Sequence, residues 1–193
     1  LAALTPAGRA SPTVVAVHGV GGVGKSALAC HAAHQLAARF PDGQLYVNLR
    51  GFDPSGAVTA PAEAVRGFLD AFGVPPDQLP LGVEAQAALY RSLLAGRRVL
   101  VVLDNARDAE QVRPLLPGSP GCLVVITSRN PLTSLVAAEG AFPLSLDLMS
   151  TDDARDLLAG RLGRDQLTTE GRPVEEIVSR CARLPLALVV VAA

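Results

Sequence analysis

Gly19-Val20-Gly21-Gly22-Val23-Gly24-Lys25-Ser26 satisfies the spacing G-x-x-x-x-G-K-[ST] at every position. Wrapping a polyphosphate in backbone N–H groups requires main chain without side chains in the way, and the four glycines supply it. Lys25 brings a compact positive charge for the β and γ phosphates, and the Ser26 hydroxyl is a ligand for the accompanying Mg²⁺. The flanks have the required form. Thr13-Val14-Val15-Ala16-Val17 reads as a buried parallel strand. Ser26 to Phe40 is rich in helix formers, free of Gly and Pro, and stopped by Pro41-Asp42-Gly43. A helix starting at the loop adds the positive end of its dipole. Of the 17 basic residues sixteen are arginine, and the single lysine stands where the loop needs one.

A chain of 193 residues has enough length for a sizeable core. Half of it is apolar, with no Trp and few aromatics, so that core is built from Val, Leu and Ala, which suits helices on a parallel sheet. A net charge of -1 offers no basic field for a nucleic acid. Cys30, Cys122 and Cys181 lack metal-ligand spacing, and His18, His31 and His34 have no carboxylate or thiol partners at such spacing. Reduced cysteines and no signal sequence predict a cytoplasmic protein. The apolar run Leu184–Ala193 is too short to cross a bilayer, and its abrupt end, with no initiating Met, predicts a segment of a longer chain.

Further strands are expected at Gln44–Leu49, Val99–Asp104, Cys122–Thr127 and Phe142–Leu146. Helices are expected at 62–72, 83–95, 108–116, 150–163 and from Arg172 onward. Alternation of the two kinds predicts an α/β fold: a three-layer, doubly wound and mainly parallel sheet of about five strands, followed by the start of a C-terminal helical subdomain. The organisation expected is a lead-in over residues 1–12, a nucleotide-binding domain over 13–149 and the helical part over 150–193.

Ligands of such sheets lie beyond the carboxyl ends of the strands, where the loop, Asp104 and Thr127-Ser128-Arg129 all fall. Asp104 closes a hydrophobic strand as a Mg²⁺-orienting carboxylate does; the competing role is a helix N-cap. Its neighbour Asn105 is an amide, unable to take a proton from an attacking water, which predicts slow hydrolysis unless Asp108 substitutes through water. Arg129 presents a fork of donors for the γ phosphate. No second lysine exists to build the N-K-x-D element of guanine readers, so adenine is the expected base.

Val15–Leu28, Tyr46–Phe52, Leu103–Ala106, Thr127-Ser128-Arg129 and Leu184–Leu188 together resemble the NB-ARC nucleotide-binding module of STAND signalling ATPases, most of all that of actinobacterial SARP-type antibiotic-regulatory activators. The resemblance implies an ATP/ADP switch in a transcription regulator: ADP holds a closed form, and ATP favours an open form that self-associates. It also implies a set of site residues. Gly21, Gly22, Val23, Gly24, Lys25, Ser26, Ala27, Arg129 and Pro185 would hold nucleotide, Ser26 and Asp104 would hold Mg²⁺, and Lys25, Asp104 and Arg129 would act in catalysis. DNA contact would come from a domain outside this chain, and no membrane is involved. Gly8-Arg9-Ala10-Ser11 does not match the Gly-Arg-x-x-Glu motif expected upstream. The rival readings are a catalytic phosphate-loop ATPase or small-molecule kinase, and a scaffold with a vestigial loop.

Overall fold

Runs of Val, Leu and Ile too apolar for a solvent-facing strand form the centre of the sheet. The computed structural model describes residues 11–162 and 171–193, the side chains of 171–173 excepted. Five parallel strands, β1 (Thr13–His18), β2 (Gln44–Asn48), β3 (Leu100–Ala106), β4 (Leu123–Ser128) and β5 (Phe142–Ser145), lie in the order β2-β3-β4-β1-β5. β1, β3 and β4 are buried almost throughout, whereas the edge strands β2 and β5 have exposed residues. Val14, Val101, Leu103, Val124 and Ile126 share a core with Leu69 and Tyr90, from the helices α2 (Pro61–Ala71) and α3 (Val83–Leu93).

The first helix, α1 (Lys25–Leu36), ends earlier than expected and closes in a 3₁₀ turn at Ala37–Arg39. The expected 108–116 helix is a single turn, α4 (Ala109–Val112), followed by a 3₁₀ turn that carries Pro114. α5 (Thr133–Glu139) lies between β4 and β5, where the sequence pattern predicts no helix. The chain continues with α6 (Thr151–Leu162), α7 (Gly171–Arg180) and α8 (Pro185–Val191). The expected lead-in lies outside the described residues apart from Ser11 and Pro12, as do Gly163 and the side chain of Pro173.

By packing, the chain divides into two compact units. Of the described residues, 11–18 and 26–145 form the first, and 19–25 with 146–162 and 171–193 the second. The first unit contains the sheet. The second gathers the glycine loop with α6 to α8, whose small core is Ala154, Leu158, Val174, Val178 and Leu188. Among the described residues no helix is long and apolar enough to cross a membrane.

Candidate nucleotide site

Within the sheet unit, β3 does not end at Asp104 as the sequence suggests; it continues to Ala106 through an irregularity. Leu103 pairs with Ile126 and Ala106 with Ser128, so three steps along β3 match two along β4. The extra residue is absorbed at Asn105, whose φ is 57°. Asn is among the few residues that adopt this left-handed conformation at low cost. The bulge re-aims Asp104, as such irregularities do beside functional sites.

Asp104 is 6% exposed. Its Oδ1 accepts from Ser26 Oγ and from Thr127 Oγ1, both at 2.6 Å, and Oδ2 receives only a long contact of 3.4 Å from the Tyr46 hydroxyl. Thr127 in turn accepts from the Asn105 N–H at 2.8 Å. Burial, and after it the Asp104 carboxylate, push the Tyr46 phenol above its usual range. Asp104 caps no helix. That part falls to Asp108, whose Oδ1 accepts from the Gln111 N–H at 2.9 Å and whose Oδ2 accepts from Arg107 at 2.8 Å. Against the opposing effect of partial burial, these bonds hold the Asp108 carboxyl below its usual range. Both of its oxygens are therefore engaged, which weighs against a substitute base there.

β4 lies between β1 and β3, and Ser128 stands opposite His18, the last residue before the glycine loop. Arg129 follows directly and is exposed, with its guanidinium 5.0 Å from the centre of the Phe52 ring. Phe52 is brought there by Gly51, whose N–H donates to the Asn105 carbonyl at 2.7 Å; a Cβ on Gly51 would sit 2.6 Å from that oxygen.

In the second unit, the glycine loop is fastened to the start of α8. The Leu186 N–H donates to the Gly22 carbonyl at 3.2 Å. Gly22 has φ 80°, and a Cβ on it would meet Leu186 Cβ at 3.1 Å and a Leu184 methyl at 3.2 Å. Pro185 occupies the first turn of α8, where proline is tolerated, and so places Leu184 and Leu186 on either side of itself. Lys25 is 9% exposed, and its Nζ donates to the Gly19 and Val20 carbonyls at 2.8 Å each. Val23 is buried, Gly21, Ser26 and Ala27 are exposed, and a Cβ on Gly24 would meet nothing.

These donor sets fit the groups that the sequence implies. A buried carboxylate with one weakly engaged oxygen beside a serine hydroxyl is a hard-oxygen pair suited to Mg²⁺. Among the described residues no cluster of three His, Cys, Asp or Glu exists to hold a metal by itself. A Mg²⁺ here would need further ligands from phosphate and water.

The sequence pattern of the NB-ARC domain matches residues 6–167. The chain belongs to the NB-ARC family. This NB-ARC chain is 47% identical over 176 residues to the regulatory protein AfsR of Streptomyces griseus and 48% identical over 176 residues to that of Streptomyces coelicolor. Each alignment covers 91% of the chain, which spans 18% and 17% of the length of these curated relatives. Its fold is also that of a Signal Transduction ATPase with Numerous Domains, a protein with a tetratricopeptide repeat sensor from Pyrococcus horikoshii. There the TM-score is 0.59 at 18% identity, over 94% of this chain and 28% of that one. The NB-ARC chain thus has the nucleotide-binding fold of the phosphate-loop NTPases.

The structure brings Ser26 and Asp104 together, and separately Gly22 with the two residues flanking Pro185. Four contributors had no role assigned from sequence: Thr127, Tyr46, Phe52 and the Leu184/Leu186 pair. The signal available for Thr127 was its place at the carboxyl end of the expected fourth strand, where ligands of such sheets lie.

Proposed function

We propose that this domain is the ATP/ADP-binding switch module of a cytoplasmic transcription regulator. ADP would hold it closed, ATP would favour an open, self-associating form, and hydrolysis with Mg²⁺ would be slow. The observation that carries this reading is the carboxylate of Asp104, held by Ser26 and Thr127 in a chain that also carries the complete glycine loop. The loop amides and Lys25 would bind the phosphates, Arg129 would respond to the γ phosphate, and Ser26 and Asp104 would hold Mg²⁺, which when bound neutralises phosphate charge. Pro185 would report nucleotide state through its neighbours on the loop.

Identity near 47% to regulatory proteins supports the regulatory role. A net charge of -1 supports leaving DNA contact to parts of the longer protein. Asn105 supports slow turnover. Calorimetry with Mg-ATP and Mg-ADP tests the reading: both bind, and Lys25→Ala abolishes both. No heat from well-folded protein would overturn it, and acceptor-dependent ATP consumption would favour the kinase instead.

A further inference from the structure

Phe52 reaches Arg129 on a loop that is closed at its base. Residues 50–58 leave β2 and return towards α2 through a narrow neck. There the Thr59 N–H donates to the Leu49 carbonyl at 3.0 Å, and the Thr59 hydroxyl to the Asn48 carbonyl at 3.1 Å. Gln111, 3% exposed, locks the neck: its Nε2 donates to the Leu49 and Thr59 carbonyls at 2.9 Å each. Its Oε1 accepts from the Arg107 N–H at 2.8 Å. Both amide hydrogens are thereby used, as burial requires. Beyond the neck the Asp53 N–H donates to the Arg50 carbonyl at 3.2 Å, which puts Gly51 and Phe52 in the middle of a turn.

β3 lies between β2 and β4, and its last residues hold both partners of the contact. On the β2 side, the Asn105 carbonyl accepts from Gly51 at 2.7 Å. On the β4 side, the Ala106 carbonyl accepts from the Ser128 hydroxyl at 2.7 Å and the Arg107 carbonyl from Asn130 Nδ2 at 2.8 Å. The Asn130 N–H in turn donates to Ser128 Oγ at 3.0 Å, so the backbone on both sides of Arg129 is anchored. Phe52 is half-buried and Arg129 exposed, and among the described residues Arg129 forms no ion pair. An exposed, unpaired arginine samples many rotamers. A ring fixed beside it selects one of them, through the attraction of the cation to the ring face.

We propose that Phe52 is a positioning residue that sets the discrimination between ATP and ADP, by holding the Arg129 guanidinium at a rest position from which only a γ phosphate draws it. The proposal rests on the phosphate-sensing role given to Arg129 above. Ring and phosphate compete for one positive charge, and the phosphate prevails because it carries full negative charge and accepts the fork of N–H groups. ADP has no γ phosphate and leaves the pair intact. The ring therefore opposes ATP binding alone, by about two- to fivefold for an exposed contact of this kind.

Calorimetry of Mg-ATP and Mg-ADP on the 193-residue chain and on variants at residue 52 tests it. Phe52→Leu keeps apolar bulk without a π face and should raise the ratio of ATP to ADP affinity about two- to fivefold. Phe52→Trp offers the stronger cation-binding ring and should lower that ratio. Structural damage would move both variants the same way, so opposite signs distinguish holding from folding. With Arg129→Ala already in place, neither substitution should move the ratio. The chain has no Trp of its own, so Phe52→Trp also supplies a single indole whose emission should change with Mg-ATP and stay constant with Mg-ADP. Without nucleotide, the Arg129 side-chain protons should show an upfield ring-current shift that Phe52→Leu removes. Both nucleotides binding with a ratio indifferent to residue 52, a ratio that falls in Phe52→Leu, or Arg129 resonances untouched by the ring would overturn the proposal and leave the nucleotide-binding reading standing. A well-folded chain that binds neither nucleotide would overturn both.

Discussion

Ser26 Oγ lies 2.6 Å from Asp104 Oδ1 across 78 residues of sequence, tying the first turn of α1 to the C-terminal part of β3. The same oxygen takes Thr127 at 2.6 Å, so this carboxylate is fixed in orientation before any ligand arrives. Such placement is what a metal-orienting group needs, because nothing must reorganise when charge is added.

Asp104→Asn is therefore expected to weaken nucleotide binding chiefly in the presence of Mg²⁺. Calorimetry with and without the metal should show the Mg²⁺-dependent gain in ATP affinity falling by roughly tenfold or more, the scale of losing a charge-assisted contact, while metal-free binding changes little. Asp104→Ala adds a structural cost of about 1–3 kcal/mol, because the buried Thr127 hydroxyl loses its acceptor. An urea midpoint measures that cost.

The two tyrosines give a pH signature. Burial and then Asp104 raise the Tyr46 phenol above 10.0, and burial raises that of Tyr90. The folded chain therefore keeps protons that the unfolded chain releases near pH 10. Stability is complete below that value and falls as pH rises from about 10 through the folded-state values. Ultraviolet titration should find well under half of the tyrosinate signal at pH 10 in folded protein, and Asp104→Asn should move the Tyr46 phase towards its ordinary value.

Gly22 and Gly51 are expected to resist substitution for different reasons. Gly22→Ala meets Leu184 and Leu186 with φ at 80°, so it should loosen the attachment of the loop to α8 and lower stability by about 1–3 kcal/mol. Gly51 fails through backbone crowding against Asn105, and its alanine variant should cost a similar ~1–3 kcal/mol while displacing Phe52 from Arg129. Denaturant midpoints, with hydrogen exchange at Leu186 for the first, check both.

Arg129 over Phe52 is a contact that a γ phosphate would compete with. Arg129→Ala is expected to reduce the ratio of ATP to ADP affinity severalfold, by removing charge-assisted contacts made to only one of the two nucleotides. Parallel titrations give that ratio, and an unchanged value would remove Arg129 from the role.

The central strands and the glycine loop were legible in the sequence because each is set by local composition: apolar runs too long for any exposed strand, and glycines spaced by one ligand chemistry. The course of β3 was not. Asp104 looked like a strand end because polarity begins there, whereas the strand continues through a left-handed Asn105, a conformation decided by pairing with β4. Thr127 was visible as a residue but not as the holder of Asp104, since strand order places it there. The grip of Leu186 on Gly22 joins residues far apart in the chain and left no local pattern.

On the proposed reading, the side chain at residue 105 governs how fast the site hydrolyses nucleotide. Its backbone is fixed by the Thr127 hydroxyl on one side and the Gly51 N–H on the other, so a change of side chain leaves the bulge intact. Aspartate tolerates the left-handed conformation about as well as asparagine, which makes Asn105→Asp a substitution of chemistry alone. With Asp108 already engaged by Arg107 and Gln111, the native chain offers an amide rather than a carboxylate at residue 105. Asn105→Asp supplies one, and general-base catalysis is worth roughly 10²–10⁴-fold. Single-turnover phosphate release should rise at least tenfold above the native rate, even after the repulsion of a second negative charge next to Asp104. An unchanged rate would mean that proton transfer at residue 105 does not limit hydrolysis.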